Sequence, residues 1–296
     1  MTASKEDTVP SLTGWRFHRC VGRTDFSEIW LAEDVGLARA VAFKIFAPLA
    51  DDDGMIPPFH VDEWRRRFLA EARLLACLDH PNILPVVALV TLDDGRPAMV
   101  LQYMEASLRD EIGGDGPGEG RRAVSVPRAR HILVETLAAL TAIHDRGIVH
   151  RDVKPRNLLL ARGPGSRLKL SDFGTARLPG KEGAAPPFWI GTPDYISPEQ
   201  RTDAARVDTS ADIYSVSVLG YRLLTGALPA DDRLNAIEGL PPAFAALLRR
   251  AGSGDPGQRP QAREMLARLA GMTLPVLPQT GKKAQDKELT TEGAPP

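Results

Sequence analysis

The chain has 296 residues, which is enough for one large domain or for two lobes with a sizeable core. Its hydrophobic fraction of 43%, charged fraction of 25% and formal net charge of -1 are typical of a soluble globular protein. This charge balance gives no electrostatic reason to expect nucleic acid or an anionic membrane as a partner, and we expect neither. No stretch approaches the ~18 apolar residues of a membrane span. Cys20 and Cys77 have no metal-ligand spacing, so we expect two reduced thiols in a cytoplasmic protein.

The first part of the chain is patterned as short strands and one helix. Residues 1–13 are polar, and we expect them to be flexible. Apolar residues at helical spacing predict a helix over Val61–Leu78. Strands are predicted over Trp30–Glu33, Ala40–Phe46, Ile83–Val90 and Pro97–Tyr103. The pattern indicates a small, β-rich unit that ends near residue 104.

The pattern becomes helical after a glycine-rich loop at residues 113–120. Helices are predicted over His131–His144, Ala211–Leu224, Ala243–Arg250 and Ala262–Leu269. The second of these is apolar nearly all round, so we expect it to be buried. Residues 273–296 are polar with scattered prolines and are predicted to form a disordered tail. The expected fold class is therefore α+β, with its strands and helices largely separated.

The strongest chemical pattern lies at residues 150–157, which read HRDVKPRN. Phosphoryl transfer needs a positioned acceptor hydroxyl, metal ions on the phosphates and nearby positive charge. Asp152 is suited to orienting the hydroxyl and accepting its proton. Lys154 points to the same side of an extended loop and is suited to the γ-phosphate, and Asn157 offers a carbonyl oxygen to a magnesium ion.

This run resembles the catalytic loop of protein kinases, H-R-D-x-x-x-x-N. Lys154, two places after the aspartate, is similar to the serine/threonine subgroup. Residues 172–174 read DFG and follow a short predicted strand. They resemble the magnesium site of the same family, which implies that Asp172 binds the metal together with Asn157 and that Phe173 packs between the lobes.

A third motif, VAFK at residues 41–44, resembles the kinase V-A-I-K, whose lysine holds the α- and β-phosphates. Lys44 then needs a carboxylate that fixes its direction. Glu71, on the predicted helix, is the best candidate, and Glu63 is the runner-up although it lies near the helix start. The alternative for Glu71 is a surface acid paired with Arg67 one helical turn earlier.

Residues 191–199, GTPDYISPE, resemble the end of a kinase activation segment. The resemblance implies that Thr192 bonds Asp152 and Lys154. It also implies a pair between Glu199 and a buried Arg259, and an anchoring role for Asp212 beneath the catalytic loop.

The same resemblance implies an adenine site built from backbone and apolar side chains. Leu101 is expected as the gatekeeper residue, and the backbone of Gln102, Tyr103 and Met104 as the hinge. The base and its phosphates are expected to contact Val21, Gly22, Ile29, Ala42, Leu159 and Lys44.

Two segments depart from the family pattern. The expected glycine loop G-x-G-x-x-G-x-V is Gly22 to Ile29 here, and Thr24 and Ser27 replace its second and third glycines. Side chains at these places are expected to hinder closure of the backbone over the phosphates. Residues 176–191 contain no Ser, Thr or Tyr, so we expect activity not to depend on a phosphate in the middle of this segment. Arg151 then needs another partner, and a structural contact to the Asp172 region is the alternative.

These features together predict a two-lobed kinase fold, with a domain over 14–272, an N-lobe over 14–104 and a C-lobe over 105–272. The predicted activity is transfer of the γ-phosphate of ATP, with Mg²⁺ (or Mn²⁺), to Ser or Thr hydroxyls of a protein, as in bacterial kinases of eukaryotic-like type. The alternative is a pseudokinase that binds nucleotide or acts as a scaffold. A small-molecule phosphotransferase of related fold is less favoured, because its motif would read H-G-D.

Overall fold

The structure, a computed structural model, describes most of the chain. The described residues are 9–24, 26–48, 61–116, 119–161, 167–178, 193–203, 207–229 and 239–274. The expected flexible start and disordered tail lie largely outside these residues. None of the described helices combines the length and the apolar content of a membrane span.

The smaller lobe is an antiparallel sheet of five strands and one helix, as the sequence predicts. The strands are β1 (Trp15–Thr24), β2 (Ser27–Asp34), β3 (Arg39–Phe46), β4 (Val86–Thr91) and β5 (Pro97–Gln102), in the spatial order β1-β2-β3-β5-β4. Helix α1 (Val61–Ala76) lies between β3 and β4 in the chain and contacts β4.

Strand alternation in β3 sorts its side chains onto the two faces of this sheet. Val41, Phe43 and Ile45 are buried in a core of their own with Trp30. Successive side chains of a strand point to opposite faces, so Ala42 and Lys44 face the other way, towards α1 and the larger lobe.

The larger lobe is mainly helical around a small three-stranded sheet. Its elements are β6 (Ala106–Ser107), α2 (Leu108–Ile112), α3 (Val126–His144), β7 (Leu158–Leu160), β8 (Lys169–Leu170), α4 (Pro198–Asp203), α5 (Ser210–Thr225), α6 (Pro242–Ala251) and α7 (Ala262–Ala270), and the sheet order is β6-β7-β8. Helix α5 is buried over almost its whole length, as its apolar sequence predicts. Single 3-10 turns occupy Pro155–Asn157, Pro193–Tyr195 and Pro256–Gln258.

Several predicted boundaries differ from the structure, and two of the differences have a clear cause. Helix α3 begins at Val126, five residues before the predicted start, because Ser125 caps it by accepting a hydrogen bond from the Arg128 amide at 3.4 Å. Strand β4 begins at Val86, because Ile83 forms a parallel bridge with Leu170 instead.

The segment between α1 and β4 is attached to the larger lobe. The Leu84 amide donates to the Leu170 carbonyl at 2.9 Å, and the Leu170 amide donates to the Asn82 carbonyl at 2.8 Å. The buried side chain of Asn82 also donates to the Leu168 carbonyl at 2.9 Å. The C-terminal side of α1 is therefore joined to β8 by backbone and side-chain bonds.

Candidate active site

Lys44 is held between two carboxylates at the junction of the lobes. Its Nζ lies 2.8 Å from each Glu71 oxygen and 3.0 Å from Oδ1 of Asp172. Glu71 also accepts a hydrogen bond from the Phe173 amide at 3.1 Å. The structure thus shows the predicted Lys44–Glu71 contact. Arg67, the partner in the alternative reading of Glu71, pairs with Glu63 at 3.1 Å.

Two of these three groups, Lys44 and Asp172, stay ionised, whereas burial raises the pKa of Glu71 and Lys44 draws it down, with a net rise. Burial opposes the charge of Lys44, but Asp172 and Glu71 together outweigh it and raise the lysine pKa above its ordinary value. The same Lys44 charge holds the pKa of Asp172 at about 2. Asp172 is therefore a carboxylate at any physiological pH.

The predicted catalytic loop brings Asp152, Lys154 and Asn157 together. Oδ2 of Asp152 lies 2.8 Å from the Lys154 ammonium and accepts a hydrogen bond from Nδ2 of Asn157, also at 2.8 Å. Nδ2 of Asn157 donates to the Asp152 carbonyl as well. Burial raises the pKa of Asp152 and Lys154 draws it down, with a net rise. Such a carboxylate accepts a proton more readily than an exposed aspartate.

A buried carboxylate below the loop fixes its backbone. Asp212, at the start of α5, accepts the backbone amides of His150 and Arg151 at 2.9 and 2.8 Å. It also lies 2.8 Å from Nε2 of His144, a partner that the sequence did not suggest. Burial alone would raise the pKa of Asp212, but the bond and charge of His144 lower it overall. Arg151 has a φ of 70° and Asp172 a φ of 62°, so backbone strain is stored on both sides of the site.

Asn157 and Asp172 fit a magnesium-type cation. Nδ2 of Asn157 faces Asp152, which leaves its carbonyl oxygen as the atom that a cation would take. Magnesium commonly uses one or two protein oxygens and completes its shell with phosphates and water. Among the described residues no cluster of three His, Cys, Asp or Glu forms a separate metal cage.

The predicted adenine residues divide into two groups. Leu101 is buried, and Ala42, Met104 and Leu159 pack against the same core. Gln102 ends β5 and Tyr103 follows it. The second group lies on β1 and β2, where Gly22 pairs with Ile29. Val21, also on β1, is 40% exposed. These positions line both sides of the lobe junction, and their contact with a base remains a prediction.

The turn that replaces the glycine loop is held by its own hydroxyls. Thr24 Oγ1 accepts the Ser27 amide at 3.0 Å and lies 2.8 Å from the Ser27 hydroxyl. Phe26, at the tip, stacks on Trp64 of α1 with ring centroids 3.5 Å apart and planes at 16°. The turn is thus fixed both within itself and to the helix that carries Glu71.

The segment at residues 193–200 is joined to the catalytic loop. Glu199 pairs with the buried Arg259 through two bonds, at 2.5 and 2.9 Å, as the sequence predicts. Gln200 donates to the Arg151 carbonyl at 3.0 Å, a contact that no sequence motif indicates. Thr192 lies outside the described residues.

The side chain of Arg151 is charged, and its Nε and Nη2 have no hydrogen-bond partner within the described part of the chain. Burial, followed by the charge of Arg177, lowers its pKa to about 10, so it stays protonated at neutral pH. Among these residues no hydrogen bond or ion pair is seen between the Arg151 side chain and Asp172, and a structural contact to that region stays a prediction.

Comparison with known proteins gives one consistent result. Residues 15–267 match the sequence model of the protein kinase domain. The chain is 36% identical over 226 residues to serine/threonine-protein kinase pkn2 of Myxococcus xanthus, covering 74% of this chain and 25% of that protein. It is 36% identical over 217 residues to PknB of Mycolicibacterium smegmatis, covering 71% and 32%.

A solved structure agrees with the sequence comparisons. The kinase domain of Mycobacterium tuberculosis PknI superposes with a TM-score of 0.62 at 26% identity, covering 91% of this chain and 98% of that domain. The matched region thus spans about a quarter to a third of the full-length relatives and nearly all of an isolated kinase domain.

Proposed function

The chain belongs to the protein kinase domain family, and we propose that it is an ATP-dependent protein kinase that phosphorylates Ser or Thr hydroxyls. The proposed domain spans residues 14–272, with an N-lobe over 14–104 and a C-lobe over 105–272. A cytoplasmic location, where ATP is abundant, accords with this activity.

The observation that carries the proposal is the convergence of two charged groups on the lobe junction. One is Lys44 with Glu71 and Asp172, and the other is Asp152 with Lys154 and Asn157. Loss of any of the polar members would favour a pseudokinase, but each is present and positioned by a partner.

These residues divide the reaction between them. Lys44, held by Glu71, would bind the α- and β-phosphates, and Lys154 would neutralise charge on the γ-phosphate. Asp152 would orient the acceptor hydroxyl and take its proton as the hydroxyl oxygen bonds to phosphorus and the bond to ADP breaks. Asn157 and Asp172 would hold a divalent cation, which offsets the phosphate charge when bound. We propose Mg²⁺, with Mn²⁺ as the alternative.

Serine or threonine is the proposed acceptor rather than tyrosine. Lys154 supports this choice, because a lysine two places after the aspartate resembles the serine/threonine subgroup, and its ammonium lies 2.8 Å from Asp152, the proposed base. The bacterial relatives reported above carry the same activity in their names.

A pseudokinase remains the second candidate, and the fixed turn at Thr24–Ser27 favours it. A turn closed by its own hydroxyls presents side chains where backbone amides would contact phosphates. This change affects how nucleotide is held, but it leaves Asp152, Asn157 and Asp172 intact.

Labelled ATP, a divalent salt and a generic protein acceptor distinguish the two candidates. We expect label on Ser or Thr, and its loss in Asp152→Ala but not in Asp145→Ala. Asp145 is a matched control because it is an exposed aspartate at the end of α3, paired only at the surface with Arg263. A thermal shift with ATP but no transfer under any condition would refute the kinase and support the pseudokinase.

A further inference from the structure

A fully buried arginine lies in the last turn of α5. Arg222 has no exposed surface, and its Nε donates to Oδ1 of Asp115 at 2.7 Å. Its remaining donors reach backbone carbonyl oxygens of Ile112, Gly113, Gly114 and Arg122. Because a buried charge is costly unless it is paired, the carboxylate of Asp115 is needed to neutralise Arg222. The glycine-rich loop between α2 and α3 is thereby attached to α5.

Asp115 uses its second oxygen for a different segment. Oδ2 accepts the hydroxyl of Tyr195 at 3.0 Å. Tyr195 is only 3% exposed, and its carbonyl accepts the Ser215 hydroxyl of α5 at 2.7 Å. Burial and the Asp115 charge raise the pKa of Tyr195, so the hydroxyl keeps its proton and donates it to this bond.

Tyr195 belongs to the segment that is joined to the catalytic loop. Two residues later, Ser197 bonds Gln200, and Gln200 donates to the Arg151 carbonyl next to Asp152. A protein acceptor whose hydroxyl reaches Asp152 must therefore pass beside residues 193–200. The position of that segment sets the space and the backbone groups that the acceptor meets.

We propose that Asp115 and Tyr195 are positioning residues for the protein acceptor: through their shared hydrogen bond, the loop between α2 and α3 holds residues 193–200 where the acceptor binds. The inference rests on the proposed kinase function. The pair with Arg222 already attaches the loop to α5, so the bond to Tyr195 is not required for that attachment. Its effect falls on the segment beside Asp152.

Three substitutions separate positioning from stability. Tyr195→Phe removes only the hydroxyl and leaves the Asp115–Arg222 pair intact. Asp115→Asn removes the charge that neutralises Arg222, but its amide can donate to the Tyr195 oxygen and keep the two segments joined. Asp115→Ala removes both interactions. Glu119→Gln is the matched control, since it removes a carboxylate of the same loop whose pair with Arg109 is solvent-exposed.

We expect Tyr195→Phe to raise the KM for the protein acceptor about tenfold, as for a lost hydrogen bond to a charged group. Its thermal midpoint falls by only about 2–4 °C, as the loss of that one bond requires, and its KM for ATP and its ATP hydrolysis without acceptor stay close to those of the unaltered chain. For Asp115→Asn we expect the reverse: the thermal midpoint falls clearly, and the KM for the protein acceptor is nearly unchanged. Glu119→Gln changes neither quantity.

Two results overturn the inference. If acceptor KM follows the thermal midpoint across the three variants, Asp115 acts only on stability. If Tyr195→Phe matches Glu119→Gln, the shared bond does not position the acceptor. Absence of transfer by the unaltered chain refutes the proposed function itself and removes the basis of the inference, whereas transfer with either result above overturns the inference alone.

Discussion

Removal of the negative charge of Glu71 should lower activity strongly, even when the shape of the side chain is kept. Glu71→Gln keeps the shape of the side chain and an oxygen for the Phe173 amide, but it removes the charge that faces Lys44 at 2.8 Å. The side chains of Lys44 and Glu71 are 13% and 4% exposed, so water can replace little of the lost interaction.

The cost follows from the partners that remain. Removing one member of a buried ion pair costs ~3–5 kcal/mol. Lys44 keeps Asp172 at 3.0 Å, so we take the lower end, about 3 kcal/mol. That is a factor of roughly 150 in the population with Lys44 correctly held. Lys44 would also move wholly onto Asp172 and compete there with the cation.

Steady-state kinetics with varied ATP and varied divalent cation measure both effects. We expect kcat/KM for ATP to fall about 100-fold in Glu71→Gln, and the cation concentration for half-maximal rate to rise. Glu63→Gln is the control, because Glu63 lies on the same helix but pairs at the surface with Arg66 and Arg67. A surface pair contributes at most about 1 kcal/mol, so its loss should cost less than about fivefold.

The reasoning fails if the two substitutions give equal losses. In that case any change of charge on α1 would lower kcat/KM for ATP equally, and the Lys44–Glu71 pair would contribute no more than a surface pair. It also fails if Glu71→Gln lowers kcat/KM but leaves the cation requirement unchanged, since the competition of Lys44 for Asp172 would then be absent.

Three further predictions concern the loop, its support and the turn above it. Asp212→Asn should lower the free energy of unfolding at pH 7 by about 3 kcal/mol. Because the folded pKa of Asp212 is lowered, the stability that its charge contributes is present above the ordinary aspartate pKa of 3.8 and is lost as the pH falls below it. Urea unfolding should therefore show that the difference in stability between Asp212→Asn and the unaltered chain shrinks at low pH. Lys154→Met should raise the pKa of Asp152 further and move the acidic limb of the pH–kcat profile to higher pH; an unmoved limb contradicts Asp152 as the base. Thr24→Gly with Ser27→Gly should lower the KM for ATP, because both hydroxyl bonds of the turn are removed, and an unchanged KM would show that the turn does not limit nucleotide binding.

The sequence predicted where the candidate catalytic residues lie, because the proposed chemistry requires fixed residue types at fixed spacing. Lys44, Asp152, Asn157 and Asp172 belong to short motifs, and each lies where its motif implies relative to a strand or a loop end. Periodicity was enough for the elements themselves, since the faces of β3 and the burial of α5 follow directly from alternating or all-round apolar residues.

Contacts between distant segments could not be predicted in the same way. Arg222 interrupts an apolar helix, and its neutralising carboxylate, Asp115, lies 107 positions earlier in a glycine-rich loop without periodicity. The stacking of Phe26 on Trp64 likewise joins a turn and a helix that only the fold brings together. The first turn of α3 is different, because Ser125 is a usable N-cap in the sequence, whereas apolar periodicity alone predicts a start at His131.

The attachment of residues 82–84 to β8 has a consequence for movement of α1. Because the C-terminal side of α1 is fixed to the larger lobe, movement of the helix would be a rotation about a point near Asn82. Displacement then grows towards the N-terminal turn, where Trp64 carries Phe26, and is smaller at Glu71, nearer the pivot. A small rotation that barely stretches the Lys44–Glu71 pair would therefore displace the tip of the β1–β2 turn by a larger distance. The opening of the nucleotide cleft would thus be coupled to the tilt of α1.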